Sequence, residues 1–301
     1  MSTSGGREAA KRLGRVGIWS NTFERLPQRR AADLAQRIEA LGFGALWFPE
    51  AVGSKEVFTQ STLLLGATST IAVAPGIASI FARDAVAMAN GARTLEEAFP
   101  GRYVLGMGVS HKPSVEWRGG SYERPLQSMA RYLAAMDEAP LTLKGAKMPP
   151  RLLAALGPKM LELGASKADG VHPYFVPLAH TAPARLATGP DACVAVEIAC
   201  TLGTDPVAAR RIGRTYTKRY LELDNYTNNL RRMGWADADL ANQGSDRLVD
   251  ELVTWGGISR IVERVQAHYA AGADHVCLQV LTDAWPEPPL EELAALAKAL
   301  L

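Results

Sequence analysis

Arg15-Val-Gly-Ile-Trp-Ser-Asn21, a helical period from Pro27 to Leu41, and then Ala45-Leu-Trp-Phe-Pro-Glu50 form the stretch that decides the fold. Two short apolar runs flank an amphipathic segment with Leu34, Ile38 and Leu41 on one face and Gly42 as its stop. That pattern is a strand–helix–strand unit. The first run ends in Trp19-Ser-Asn21, without the G-x-G-x-x-G turn that opens a dinucleotide-binding open sheet.

Working outward, the unit recurs. Gln60 to Ser69 reads as a helix and Ile71 to Ser79 as strand three; Asp84 caps a helix to Phe99, and Tyr103 to Val109 is strand four. A helix over Tyr122 to Ala139 leads to strand five at Arg151 to Leu156, and Pro158 opens the next helix at a first-turn position. Strand six is Gly170 to Phe175, its helix Thr181 to Ala187, and strand seven Cys193 to Leu202. A long helix over Pro206 to Met233 and a helical excursion over Asp237 to Gly257 follow. His275 to Leu281 is strand eight, and Leu290 to Leu301 the closing helix. Eight strand–helix pairs without a low-complexity linker predict an α/β fold, a (β/α)8 TIM barrel in one domain over residues 15–301, with a helical insertion after strand seven. Residues 1–14, polar and Gly/Ser-containing at the start, read as a flexible lead-in.

Composition narrows the function classes. The 33 Lys and Arg against 31 Asp and Glu leave a net charge of +2, which gives no electrostatic case for nucleic acid or a membrane surface. Cys193, Cys200 and Cys277 are odd in number and lack C-x-x-C spacing, so neither a disulfide framework nor a metal site is expected. No apolar run is long enough for a membrane helix, and Met1 to Lys11 has no apolar signal core. The expectation is a cytoplasmic protein with a small-molecule substrate.

Barrel chemistry sits at the C-terminal ends of the strands. Those ends deliver Ser20, Asn21, Glu50, Ser79, Ser110, His111, Gly157, His172, Tyr174 and Thr201. Glu50 follows an apolar strand, where desolvation favours a protonated carboxyl suited to proton transfer; a rim ion pair is its plainer role. His111 follows Gly106-Met-Gly108, where missing side chains would admit a flat ligand, and its imidazole titrates near neutral pH. Gly157-Pro-Lys-Met160 opens a helix, and free amides plus Lys159 make an anion site there, with Thr181 able to do the same at the next helix. His268 and His275 lie away from the active face and read as structural.

These pieces resemble the luciferase-like flavin and deazaflavin oxidoreductases, specifically their coenzyme F420-dependent branch. The resemblance is carried by Ala45 to Glu50, Ala74-Pro-Gly-Ile-Ala-Ser79, Gly101 to His111, Leu153 to Leu163 and Ala168-Asp-Gly-Val-His-Pro-Tyr174. It implies a non-proline cis peptide at Gly76-Ile77 behind the cofactor ring. It also implies Gly108 and Tyr174 beside the cofactor, and its phosphate on Gly157, Pro158, Lys159 and Met160 with Thr181 in support. Glu50 and His111 fall where relatives place a histidine and a proton-donating glutamate, as if exchanged. Ala85 stands where a proline is usual. The implied activity is hydride transfer between F420 and a small organic substrate, with Glu50 or His111 exchanging the proton, in a homodimer built partly on the helices Gln60–Ser69 and Asp84–Phe99. An FMN-dependent monooxygenase and a non-catalytic flavin-binding protein are the alternatives.

Overall fold

The computed structural model describes residues 5–301. Its sheet is parallel throughout. The strands are β1 (Val16–Trp19), β2 (Ala45–Phe48), β3 (Ala72–Pro75), β4 (Ala78–Ser79), β5 (Leu105–Gly108), β6 (Arg151–Leu153), β7 (Gly170–Val171), β8 (Cys193–Cys200), β9 (Val253–Thr254) and β10 (His275–Val280). Pairing runs β3-β2-β1-β10-β8-β7-β6-β5-β4, and β9 adds to the upper end of β8 at Ala199↔Val253. The two ends of that path, β3 and β4, are halves of strand three. A bridge between Val73 and Tyr103 joins the lower half to the strand-four side and closes the ring. The expected TIM barrel is the observed fold.

Apolar residues fill two layers. Val16, Ile18, Leu46, Val73, Leu105, Val194 and Val276 pack outward against the helices. Ala45, Trp47, Ala72, Val104, Leu152, Ala195 and Cys277 point inward and fill the barrel itself, so the barrel is a packed core and not a pore.

Three local differences from the sequence reading matter, and one local expectation is met. Gly5–Leu13 is a helix, not part of a flexible lead-in, while residues 1–4 lie outside the described residues. Ala9 and Leu13 are fully buried, and Arg12 is tied to Glu96 at 2.5 and 3.0 Å, so the segment plugs the N-terminal end of the barrel. Strand three is interrupted at Gly76-Ile77, whose peptide bond is cis, as the resemblance implies. Strand six ends at Val171, after which Phe175 adopts φ 56°. The long helix after β8 breaks into Pro206–Leu221 and Asp224–Arg232, because Leu223 is extended (φ −111°, ψ 117°). The break turns Tyr226 and Leu230 inward, where both are buried. Asp237–Leu240 and Asp246–Leu252 complete the helices before β9.

Candidate active site at the barrel mouth

The floor of the mouth is aromatic. Trp47 stacks on His172 with ring centroids 4.3 Å apart. Below it, Trp47 Nε1 donates to His275 Nε2 at 3.1 Å, and His275 Nδ1 donates to the Gly14 carbonyl at 2.8 Å. Burial pushes both imidazoles down to about 4, so they are neutral. His275 is structural, as expected.

His172 Nε2 and Trp19 Nε1 are among the buried polar atoms that lack a partner among the described residues. Both flank Gly76, where an added Cβ would stand 2.4 Å from Trp19 Nε1 and 3.4 Å from His172 Nε2. Only glycine fits at this point of the cis Gly76-Ile77 bulge. The other glycines do not leave room for a ligand. A Cβ on Gly106 would meet the Pro75 carbonyl at 1.9 Å, and one on Gly108 would meet Ile77 at 2.9 Å and Ala154 at 3.0 Å. Close strand packing, not ligand access, explains Gly106 and Gly108.

Glu50 is committed. Its Oε2 accepts from the Ser79 amide at 2.8 Å and from Arg83 Nη1 at 3.0 Å, and its Oε1 pairs with Arg83 Nη2. Arg83 Nη2 also reaches Glu56 at 2.9 Å. Burial alone would lower the guanidinium, but the bonds and field of Glu50 and Glu56 outweigh it and raise it. A carboxylate with every oxygen engaged by a cation and an amide is poorly placed to carry a proton. The expected protonated acid is thus corrected to an ion pair that fixes the loop after strand three.

His111 is placed differently. Ser110 before it sits at φ 58°, a left-handed conformation rare outside glycine, and the ring faces the helix Asp224–Arg232. His111 Nδ1 lies 3.2 Å from Asn225 Oδ1, and its ring packs 5.3 Å from Tyr226. Burial lowers its pKa and Arg219 adds to that, against the Asn225 bond. The imidazole is therefore unprotonated at neutral pH. With Nδ1–H donated to Asn225, Nε2 is the basic nitrogen.

The turn at Gly157 keeps its expected features. Helix Pro158–Lys167 opens with no side-chain cap, Lys159 is exposed and Met160 half-buried. The exposed guanidinium of Arg232 lies over the turn, 3.3 Å from where a Gly157 Cβ would stand. Thr181 does not join them. It is buried, and its hydroxyl bonds His268 Nδ1 at 2.8 Å; His180 instead reaches the Leu156 carbonyl at 2.8 Å. Tyr174 is also spent internally: its hydroxyl meets Tyr220 at 2.6 Å and Gln279 at 2.9 Å.

A cavity of about 320 Å³ opens over β1 and β10 and not over the Gly157 turn. Trp19, Asn21, Tyr216, Arg219, Tyr220 and Gln279 are among the residues that line it. Trp19 is shared: it borders both this cavity and Gly76. Asn21 is fixed by Trp285, whose Nε1 donates to its Oδ1 at 3.0 Å. Arg219, Arg232, Tyr216 and Tyr226 were missed from sequence, since they belong to helices whose return over the mouth no local pattern encodes. Among the described residues no cluster could hold a metal, and no helix is long and apolar enough to cross a membrane.

A closed parallel barrel with a cis bulge in strand three and a wide polar-aromatic mouth defines an enzyme-type barrel. The chain belongs to the luciferase-like monooxygenase family, whose model matches residues 13–275. It is 30% identical over 162 residues to the 5,10-methylenetetrahydromethanopterin reductase of Methanolobus tindarius; that match covers 48% of this chain and spans about half (50%) of the relative. A Mycobacterium tuberculosis protein, assigned by name alone as a coenzyme F420-dependent oxidoreductase, is 25% identical over 96% of this chain and 99% of its own. Among solved structures, an F420-dependent secondary alcohol dehydrogenase in complex with an F420-acetone adduct superposes with a TM-score of 0.76, at 17% identity over 95% of this chain and 98% of that one.

Proposed function

We propose that this chain is a coenzyme F420-dependent oxidoreductase that moves hydride between the deazaflavin and a small organic substrate. The observation that carries this reading is the pairing of two features. One is the uncapped Pro158–Lys167 helix start with Lys159 and Arg232 over it. The other is the cis Gly76-Ile77 bulge flanked by two buried, unpartnered polar atoms. The first suits a phosphate, by helix-end amides and two cations. The second suits the edge of a polar heterocycle. The residues present thus fit the cofactor, and the Mycobacterium tuberculosis relative carries that cofactor in its name.

When bound, the deazaflavin supplies or accepts the hydride. Gly157, Pro158, Lys159, Met160 and Arg232 would hold its phosphate, and Gly76-Ile77 would support its ring. The β1–β10 cavity takes the substrate. His111, unprotonated and oriented by Asn225, exchanges a proton at Nε2 as hydride moves. The working unit is a homodimer.

Titration of the apo-protein with F420 and, separately, FMN, followed by fluorescence, tests the cofactor. F420 binding is expected. Lys159→Glu and Arg232→Glu should each weaken it about tenfold or more at physiological salt, as a charge-assisted phosphate contact contributes about 1.5–3 kcal/mol. Binding of FMN alone, or F420 affinity unchanged in both variants, would overturn the reading.

A further inference from the structure

Glu197 is a barrel-interior acid that the chemistry above does not use. It sits in Cys193-Val-Ala-Val-Glu-Ile-Ala-Cys200, an otherwise apolar strand, and is 2% exposed. A carboxyl in such a place persists only with partners. The Phe175 amide donates to its Oε2 at 3.2 Å, an approach set by the left-handed backbone of Phe175. The Tyr216 hydroxyl donates to its two oxygens at 3.3 and 3.4 Å. Among the described residues no cation is one of its partners. The titratable groups packed round it are the phenols of Tyr174, Tyr216, Tyr220 and Tyr226 and the thiols of Cys200 and Cys277. Burial, against the two hydrogen bonds, pushes its carboxyl up to about 8. Tyr216 also lines the β1–β10 cavity.

We propose that Glu197 is the proton store of that cavity and that Tyr216 passes its proton to the oxygen of a carbonyl substrate bound there. This rests on the deazaflavin reading, because the reduced cofactor provides the hydride. The balance is as follows. Hydride forms a C–H bond at the carbonyl carbon, and the C=O π bond breaks. The oxygen takes the Tyr216 phenol proton, while the Glu197 proton moves to the Tyr216 oxygen. An alcohol results, with Glu197 left as a carboxylate held by the Phe175 amide and Tyr216. His111 Nε2 would take the second proton that the two-electron oxidation sets free. Acid and base are kept in opposite states at one pH, the arrangement that divides such roles. The substrate class is thus a ketone or aldehyde, and the favoured direction is reduction.

Infrared titration of the apo-protein should show a protonated carboxyl band that disappears with a midpoint near 8. Glu197→Gln should remove it, and Tyr216→Phe should move its midpoint upward, since the lost bond favoured the carboxylate. Between about 6.5, above which the histidines of the unfolded chain are neutral like the buried ones, and about 8, the unfolded chain has released a carboxyl proton that the folded chain keeps, so the melting temperature should fall as pH rises across that window in wild type but not in Glu197→Gln. With F420H2 and benzaldehyde as probe, turnover should decline above about pH 8; both variants should lose about 10²-fold, and Glu197→Gln should lack the alkaline limb. A band already absent at pH 6 overturns the store outright. A band as expected, with rates unchanged in both variants, overturns the relay while the deazaflavin reading stands. Failure to bind F420 overturns both.

Discussion

Glu50→Gln separates a structural acid from a proton carrier. The side chains of Glu50 and Arg83 are 4% and 12% exposed, so the pair is shielded from solvent. The substitution removes the charge, weakens the acceptor for the Ser79 amide, and leaves a buried guanidinium facing only Glu56, whose side chain is 50% exposed. Removing one partner of a buried pair costs about 3–5 kcal/mol, and the residual Glu56 contact places this case near the lower end, at about 3 kcal/mol. For a chain of this size that is a fall of about 5 °C in melting temperature. Urea unfolding followed by circular dichroism should show a lower midpoint with an unchanged slope. Glu56→Gln, at a half-exposed site that also caps the helix Val57–Ala67, should cost only about 1 kcal/mol. F420 affinity and turnover per folded molecule should be retained in Glu50→Gln. The opposite pattern, with stability intact and turnover lost by about 10² or more, would show that Glu50 carries the proton after all and refute the ion-pair reasoning.

His111→Ala should lower turnover by about 10²–10⁴ while F420 affinity stays within about twofold, measured by single-turnover oxidation of F420H2 beside a binding titration. Because His111 must be unprotonated to act, the wild-type rate should rise through a pKa below 6.5 and the variant should lose that acidic limb; parallel loss of binding and turnover would make its role structural. For assembly, light scattering at micromolar concentration should give a dimer mass, and a double substitution Leu63→Arg with Val86→Arg should shift it toward monomer. These side chains are 44% and 42% exposed on the two helices expected at the interface.

Much of the barrel was legible because its signal is local. Each strand is a short apolar run and each helix an amphipathic period, and both are written in consecutive residues. Where the reading failed, a tertiary contact decided. Gly5–Leu13 looks polar, yet Ala9 and Leu13, four residues apart, find the open end of the barrel and bury there. The break at Leu223 carries no proline or glycine; it is imposed by the inward packing of Tyr226. Strand six stops at Val171 because Pro173 and the left-handed Phe175 take the chain toward Glu197, whose amide partner is 22 residues away in sequence.

The site was legible in position but less so in role, and the reason is the same. A residue's place on a strand end follows from its own segment, whereas its chemistry follows from what another segment brings to it. Glu50 and Glu197 are both buried glutamates at the end or middle of barrel strands. Arg83 reaches the first and holds it as a carboxylate; only a phenol and an amide reach the second, and it keeps its proton. Their partners lie 33, 19 and 22 residues away, on elements whose pairing no spacing rule specifies. Glu50, which looked chemical from its sequence neighbours, is therefore assigned to the scaffold, and Glu197, hidden in an apolar strand, is the acid left with a proton to give.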